Sequence, residues 1–574
     1  MANELIKNLV RDFIDIQKLN PLDRPERIND LFTRLNFLGK IEDFNWVRDI
    51  YEEIHVKDRG GKTALMWYDL DTKVEEIYTY QDLLIRANKL INFLKSSGIG
   101  KGDPVYLMTP VFPEQWVTFL ATIKAGFVLV PTANNLTAYE LGYRFADLKP
   151  KVIIADPKSA ERIDQALGDL KPLKIVVRGR VNGWTDFELT QSESESAEAY
   201  PTSSEDDILN YFTSGTTGLP KRVIHTATSY PLGHLSTASI IGVSTEDIHL
   251  NLSAPGWAKF AWSSFFSPLI VGATIMAVNY EGRLNAQEYL SVVDNFNVTS
   301  FCAPPTAWRL FNLVDLWKFK FHKLRNVVSA GEPLNPEIIK VWKDKFDLTI
   351  RDFYGQTETT AIIGNPPWRD VTPGSFGIPS PLYDVVLLDD EGKEITKPFD
   401  VGHIAIRLTK WRAIPLFKGY SNEEKNKEAF RNGYYFTGDK GYFDDKGNWY
   451  FVARADDVIK TSDYRVGPFE VESALIEHPA VAEAAVVGSP DPVRWQLVKA
   501  FVVLKPGYSP SYELAKELVN HVSKSLSPYK VPRKIEFVNE LPKTISGKIR
   551  RNELRKLEED RYKKGEKSEN EYTF

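Results

Sequence analysis

Apolar residues recur along the chain with two spacings. Pro104–Met108, Phe127–Pro131, Val152–Ala155 and Ile208–Thr213 are short, nearly continuous apolar runs, the pattern of strands buried on both faces. Between them Thr79–Ser97 and Glu114–Lys124 repeat apolar positions at helical spacing. Helices and strands therefore alternate from Ala64 to about Val177, which predicts a layered α/β body with a largely parallel sheet. Residues 1 to about 60 read as helical and aromatic, opening on the amphipathic MANELIKNLVRDFIDI. Gln191–Asp207 is polar and predicts a surface loop. His225–Ile241 reads as a helix, and Val327–Pro333 as a strand ending in a small-residue turn. Val385–Ile406 carries two strand patterns around the turn Asp389–Gly392. Later, Glu470–Ile476 opens a helix, Val481–Val487 and Lys499–Leu504 read as strands, and the charged Leu554–Phe574 is expected to fray.

Composition narrows the class. At 574 residues the chain exceeds what one core supports, so at least two domains are expected. With 72 basic and 77 acidic residues and a net charge of −5, it shows no basic excess for nucleic acid. Cys302, the one cysteine, sits in the apolar Phe301–Pro305 and reads as a buried core thiol. The longest apolar stretch, Phe265–Val278, is broken by Ser267, Pro268, Gly272 and Thr274, too short to span a membrane. The N-terminus lacks both the apolar core of a signal peptide and the Arg-rich, acid-poor bias of a transit peptide, so a cytoplasmic protein is expected.

Chemistry enters where the run Ile208–Thr213 ends. Ser214, Gly215, Thr216, Thr217 and Gly218 follow Thr213, closed by Pro220 and Lys221. Two glycines let backbone N–H groups approach an anion, hydroxyls add donors, and Lys221 adds a charge suited to phosphate. The spacing is not that of the Walker loop; read alone, such a loop is also an ordinary turn. The uninterrupted T-S-G-T-T-G-x-P-K resembles the phosphate loop of the adenylate-forming superfamily, which holds acyl-CoA synthetases, luciferases and peptide-synthetase adenylation domains.

The resemblance extends in family order from about residue 45 to 555. It implies an adenine site at Gly331, Glu332 and Pro333, where small residues let a planar base stack. RDFYGQTETT resembles the second signature and adds Asp352, Phe353, Tyr354, Gly355, Gln356 and Thr357 to the ATP site. Tyr354 would face the adenine and Thr357 the α-phosphate, while Glu358 would hold Mg²⁺, which takes only one or two carboxylates. The G-W-A-K match at Trp257, Ala258 and Lys259 implies a border of the acyl and pantetheine channels, though core packing explains those residues equally. Asp439 in YYFTGDK would bind the ribose hydroxyls. In ARADDVIK, Arg454 would reach ribose and phosphates and Asp456 would be the hinge, with Ala453 in place of the usual glycine; Asp457 reads as a solvated turn residue. In TSDYRV, Ser462, Asp463 and Tyr464 would border coenzyme A, Asp463 replacing a family glycine, and Arg465 would meet the adenylate phosphate. Arg494, before Trp495 where the family has glycine, and Arg533 are candidates for the phosphates of CoA. Lys548 in LPKTISGKIRR matches the lysine that stabilises charge on the α-phosphate and the attacking carboxylate.

The chain is accordingly identified as a member of the AMP-forming acyl-CoA synthetases, of the acetyl and medium-chain type. The resemblance implies an α/β fold: a large N-terminal layered domain with a β-rich subdomain at 1–455 (phosphate loop 213–221, hinge 453–457), and a small mobile α+β lid at 456–574. It implies ATP, Mg²⁺ and CoA as cofactor and co-substrates, a small carboxylic acid as substrate, and a homo-oligomer as common among relatives. Three rivals stay open: an adenylation enzyme that loads a carrier protein, a luciferase-type oxygenase, and a non-catalytic binding module. The acid is expected to have roughly four to eight carbons, because acetate-type relatives close the pocket with a tryptophan where this chain has Gly355; a tight-turn role for Gly355 is the alternative. Resemblance to archaeal 4-hydroxybutyrate-CoA ligases makes a hydroxylated C4 acid a candidate.

Overall fold

The computed structural model describes residues 2–213, 220–461, 464–544 and 547–574; the side chains of Ala2, Tyr464 and Arg465 are not described. The chain divides into two compact units. One holds Pro220–Asp384 and Arg407–Gly433 with the chain before the phosphate loop; the other holds Val385–Ile406 and Tyr434–Phe574.

The first unit is built on two sheets. In one, the strands Arg351–Gly355, Asn326–Ala330, Ser300–Ala303, Ile248–Asn251, Thr274–Asn279 and Thr63–Asp69 lie side by side in that order and all parallel. Antiparallel strands close its edges: Ala361–Gly364 and Ile378–Pro379 on one side, Glu75–Thr79 on the other. The central runs are apolar without alternation because helices cover both faces, and Thr274–Asn279 and Asn326–Ala330 are buried throughout. The second sheet runs Gly419–Tyr420, Lys221–Thr226, Asp207–Thr213, Val128–Pro131, Pro104–Met108, Val152–Ala155, Leu173–Val176 and Thr185–Asp186. The helix Tyr80–Ser96 starts where Thr79 and Asp82 form a reciprocal capping box. The N-terminal segment is helical over Ala2–Lys18 and Pro25–Asn36, then forms a π-helix over Val47–Val56.

In the second unit, Trp495–Leu504 is the centre of a sheet. Val481–Asp491 and Ile459–Thr461 pair with it antiparallel and Lys534–Phe537 parallel. The helix Pro468–Ile476 packs on Val481–Asp491, around a core that includes Val471, Leu475, Val486 and Val502. Tyr434–Phe443 and Trp449–Arg454 form an antiparallel pair in a further sheet, with Val385–Leu388 and Glu394–Ile395.

Two expectations need correction. Lys221–Thr226 is a strand, and the helix begins only at Ser229, because Val223 and His225 bury one face at period two against Tyr211 and Leu209. The C-terminus does not fray: Arg551–Lys564 is a helix, and Glu571–Thr573 adds a strand to Lys534–Phe537. Cys302 is buried, and burial pushes its thiol above the ordinary range. Among the described residues no helix is long and apolar enough to cross a membrane.

Candidate active site

Parallel strands deliver several candidate residues to one edge of the first unit. Ala330 stands beside Phe353 in the register, so Gly331–Pro333 and Tyr354–Glu358 leave adjacent strands at their carboxyl ends. Ile248–Asn251 ends at the same edge and leads into Trp257, Ala258 and Lys259. The carboxyl edge of a parallel sheet is where such folds bind ligands. Gly331 has φ 113° with open space where a Cβ would lie, a conformation that side chains rarely adopt. Glu332 lies 3.6 Å from Arg309, and Pro333 is half-buried beside it.

Asp352 is buried. Its carboxylate accepts the N–H groups of Leu334 (3.3 Å) and Phe353 (3.0 Å). Burial raises its pKa to about 8, although those N–H groups and the charge of Lys259 pull the other way. The carbonyl of Lys259 accepts from Asn251 at 3.3 Å. Tyr354 packs on Phe376 at 5.3 Å, and it, Gln356, Thr357 and Glu358 are half-buried.

The strands on either side of the phosphate loop pair antiparallel, with Thr213 opposite Lys221. The Thr213 hydroxyl donates to the Lys221 carbonyl at 3.4 Å. Lys221 Nζ stands 5.3 Å over the ring of Tyr420, whose hydroxyl donates to Glu358 Oε1 at 2.7 Å. One tyrosine thus links the loop's cation to the candidate metal ligand. Glu358 offers hard oxygen donors with its carboxylate held on one side, which fits a hard divalent cation. The Thr357 carbonyl accepts a hydrogen bond from His225 Nε2 at 2.7 Å, and the Ser229 hydroxyl donates to Nδ1 at 3.0 Å. The carbonyl demands the Nε2–H tautomer, and burial lowers the imidazole pKa to about 3, so the ring is neutral.

Gly355 departs from the expected open wall. A Cβ there would fall 2.1 Å from the Thr360 carbonyl oxygen and 2.7 Å from Trp262 Cη2. The space is filled by backbone and an indole from another segment.

In the second unit Asp439 and Arg454 face each other across paired strands, 3.9 Å apart. Asp439 is buried, its N–H donating to Thr437 Oγ1 at 3.2 Å. Asp456 is exposed in the turn between Trp449–Arg454 and Ile459–Thr461, and that turn lies within the second unit. Asp457 is not solvated as expected: it is buried and pairs with Arg555. The Arg494 N–H donates to Asp491 Oδ1 at 2.7 Å in the turn before Trp495. Trp495 has φ 67°, so the position where the resemblance leads to an expected glycine keeps the glycine-like conformation with a side chain three-quarters exposed. Arg533 is tied by its backbone to Val498 and Phe574. Lys548 is exposed in a tight hairpin: Lys543 bridges Ile549, Thr544 N–H donates to the Lys548 carbonyl (2.7 Å), and Lys548 N–H donates to Thr544 Oγ1 (3.1 Å). Ser214, Gly215, Thr216, Thr217, Gly218, Ser462 and Asp463 lie outside the described residues, as do the side chains of Tyr464 and Arg465.

The AMP-binding enzyme model matches residues 53–420, and the AMP-binding enzyme C-terminal domain model matches 470–548. The chain belongs to the AMP-binding enzyme family. Within it the chain stands among the acyl-CoA synthetases. It is 61% identical to 4-hydroxybutyrate–CoA ligase 1 of Metallosphaera sedula, covering 99% of this chain and 100% of that one. It is 41% identical to mouse mitochondrial acyl-coenzyme A synthetase ACSM3, over 90% and 91% of the two chains. The crystal structure of the anthranilate CoA ligase AuaEII with anthranoyl-AMP matches with a TM-score of 0.83 at 32% identity, covering 91% of this chain and 98% of that one.

Sequence reasoning missed His225 and Tyr420 in this family's site. The alternating Val223-Ile224-His225-Thr226 was a usable strand signal for the first. Tyr420 had none, since only folding brings it to Glu358.

Proposed function

We propose that the protein is an ATP-dependent acid–thiol ligase that makes an acyl-adenylate and then an acyl-CoA, with a hydroxylated C4 acid as substrate. The observation that carries the reading is the Lys221–Tyr420–Glu358 arrangement, a phosphate-binding cation and an oxygen-donor acid spaced by one phenol. The 61% identity to a ligase named for 4-hydroxybutyrate supports the choice of acid.

In the first half-reaction a carboxylate oxygen of the acid attacks the α-phosphorus of ATP. The bond to the bridging oxygen breaks and pyrophosphate leaves. Catalysis of this step is positioning and charge neutralisation. Thr213 to Lys221 cradles the phosphates; Gly331 to Pro333 and Asp352 to Tyr354 hold the base; Asp439 and Arg454 take the ribose. Thr357 meets the α-phosphate, its backbone fixed by His225, and Lys548 stabilises the charge on the non-bridging oxygens. Glu358 would hold Mg²⁺, which when bound neutralises phosphate charge.

In the second half-reaction the CoA thiolate attacks the acyl carbonyl and AMP leaves with the electron pair. Ser462, Asp463, Tyr464, Arg494 and Arg533 are assigned to CoA, Arg465 to the adenylate phosphate, and Trp257, Ala258 and Lys259 to the acyl channel. Asp456 is the hinge between the two half-reactions. The test is AMP release with acids from acetate to octanoate, hydroxylated and aromatic members included, with and without CoA. Strongest CoA-dependent release on 4-hydroxybutyrate is expected. Acid-dependent pyrophosphate exchange that ignores CoA would favour a carrier-loading enzyme instead.

A further inference from the structure

We infer that the amino edge of the first unit's parallel sheet is a docking surface for an anionic lipid membrane, built on Trp317 and the lysines around it. The surface lies opposite the candidate ATP site and is independent of the ligase reading. Ser300–Ala303, Asn326–Ala330 and Arg351–Gly355 run parallel, so the chain must return to the amino edge before each new strand. The first return brings residues 310–325 there: the N–H groups of Lys320 and Phe321 donate to the carboxylate of Asp294, just before Ser300–Ala303. The second return is the helix Pro336–Phe346, which carries Lys345 in its last turn. The two meet where Lys345 Nζ stands 3.7 Å over the ring of Trp317.

The first return sorts its side chains by face. Leu316, Phe319, Phe321 and Leu324 are buried, with Phe321 stacked between Phe319 and Trp342, so the segment is anchored to the core. Outward, Leu313 is 75% exposed and Trp317 85%, with Leu310 partly exposed beside them. Apolar side chains gathered at one surface mark an interaction site. Lys318, Lys320 and Lys323 are exposed among them, and with Lys345 they make no ion pair among the described residues. Residues 309–325 hold five cations (Arg309, Lys318, Lys320, Lys323, Arg325) against one acid, Asp315, whose carboxylate accepts the Trp317 N–H at 3.1 Å. Charge and shape then choose the partner. The chain as a whole carries −5, so an anionic surface repels it except where cations gather. An indole 85% exposed projects into solvent, and a folded protein partner would have to supply a pocket for it. A bilayer interface needs none: it takes up Trp and Leu at headgroup depth while Lys meets the phosphates. Docking by the amino edge also leaves the carboxyl edge, with Gly331–Pro333 and Tyr354–Glu358, turned away from the lipid.

The experiment sediments the full chain with vesicles of phosphatidylcholine alone and with vesicles of phosphatidylcholine and phosphatidylglycerol. Binding to the anionic vesicles should exceed binding to the neutral ones by about tenfold or more, and should weaken as salt shortens the Debye length. Each lysine near an anionic surface is worth about fivefold, so Lys318→Gln, Lys320→Gln and Lys323→Gln together should weaken binding by about 10². Trp317→Ala should weaken it by about tenfold. Quenching of tryptophan fluorescence by bromine-labelled lipid should appear in the unmodified protein and be lost in Trp317→Ala. These side chains are exposed, so the variants should keep their melting temperature and their AMP release in lipid-free buffer. No binding, equal binding to the two kinds of vesicle, or binding untouched by the lysine and tryptophan variants overturns the surface. A dimer in lipid-free buffer that Trp317→Ala abolishes also overturns it, and makes the patch an interface between copies of this chain.

Discussion

Replacing Lys499 with methionine should loosen the element that carries Lys548. Lys499 is fully buried, and its ammonium lies 2.7 Å from Glu536 Oε2 and 2.5 Å from Glu558 Oε1, with Glu571 as third partner. Arg561 adds a second cation, 2.8 Å from Glu536. Burial opposes the charge on Lys499, yet the three carboxylates hold its pKa above the ordinary value. Burial likewise pushes Glu536 up, and Lys499 with Arg561 outweighs it. The cluster ties the strands Trp495–Leu504, Lys534–Phe537 and Glu571–Thr573 to the helix Arg551–Lys564, which follows directly on the Lys548 hairpin. Methionine matches the stem and removes the charge, leaving three buried carboxylates against one guanidinium. Removing one partner of a buried ion pair costs about 3–5 kcal/mol. Hydrogen exchange of amides in Trp495–Leu504 should then speed up by about 10²–10⁴, at about 1.4 kcal/mol per factor of ten.

The pH dependence supplies the sign. Without Lys499 the burial that pushes Glu536 up is opposed by Arg561 alone, so its folded-state pKa rises and the folded variant takes up a proton more readily as pH falls. The deficit relative to the unmodified protein should shrink between pH 7.5 and 5.5, by on the order of 1–2 kcal/mol. Adding Glu558→Gln and Glu571→Gln to Lys499→Met should restore most of the protection at pH 7.5. Exchange within threefold of the unmodified protein, or a loss identical at both pH values, would refute a structural role for the charge of Lys499.

Lys548→Ala should lower adenylate formation by about 10²–10³ while sparing thioester formation from supplied acyl-AMP; equal loss in both half-reactions, assayed separately, would contradict the role given to Lys548. Gly355→Ala should destabilise by about 1–3 kcal/mol through overpacking against Thr360 and Trp262, and an unchanged melting temperature would mean that the strand end shifts freely. Acid should unfold the protein early. Burial lowers His55 and His225 to about 3, His249 to about 4 and His234 well below its ordinary value, so these groups contribute stability that is present above about pH 6.5 and lost as pH falls. Asp352, raised to about 8 by burial, works in the opposite direction. About three protons net are taken up on unfolding near pH 5, a slope of about 4 kcal/mol per pH unit; urea midpoints that do not fall between pH 6.5 and 5 would refute it.

Much of this enzyme was legible in one dimension because its signals are local. A buried parallel strand needs a continuous apolar run, so Pro104–Met108 and Val152–Ala155 could be read directly from composition. A phosphate loop needs its glycines, hydroxyls and lysine in consecutive order, so Thr213 to Lys221 announced itself and the family with it. Pairings between distant segments carry no such signal. His225 and Thr226 were misread as the start of a helix because the alternation of Lys221–Thr226 becomes meaningful only when it pairs with Asp207–Thr213. The frayed C-terminus was a reading of charge alone. Glu558 and Glu571 are buried or half-buried there with Lys499, far back in sequence, as their counter-charge, and Arg561 is half-buried against Glu536. At Gly355 the sequence by itself determined that no side chain would be present. Only the tertiary structure decided that the space is occupied, since Trp262 comes from another stretch of chain and the Thr360 carbonyl is folded back by the strand that pairs with Gly355. A missing side chain becomes a cavity only when no other segment packs into it, and interiors are close-packed.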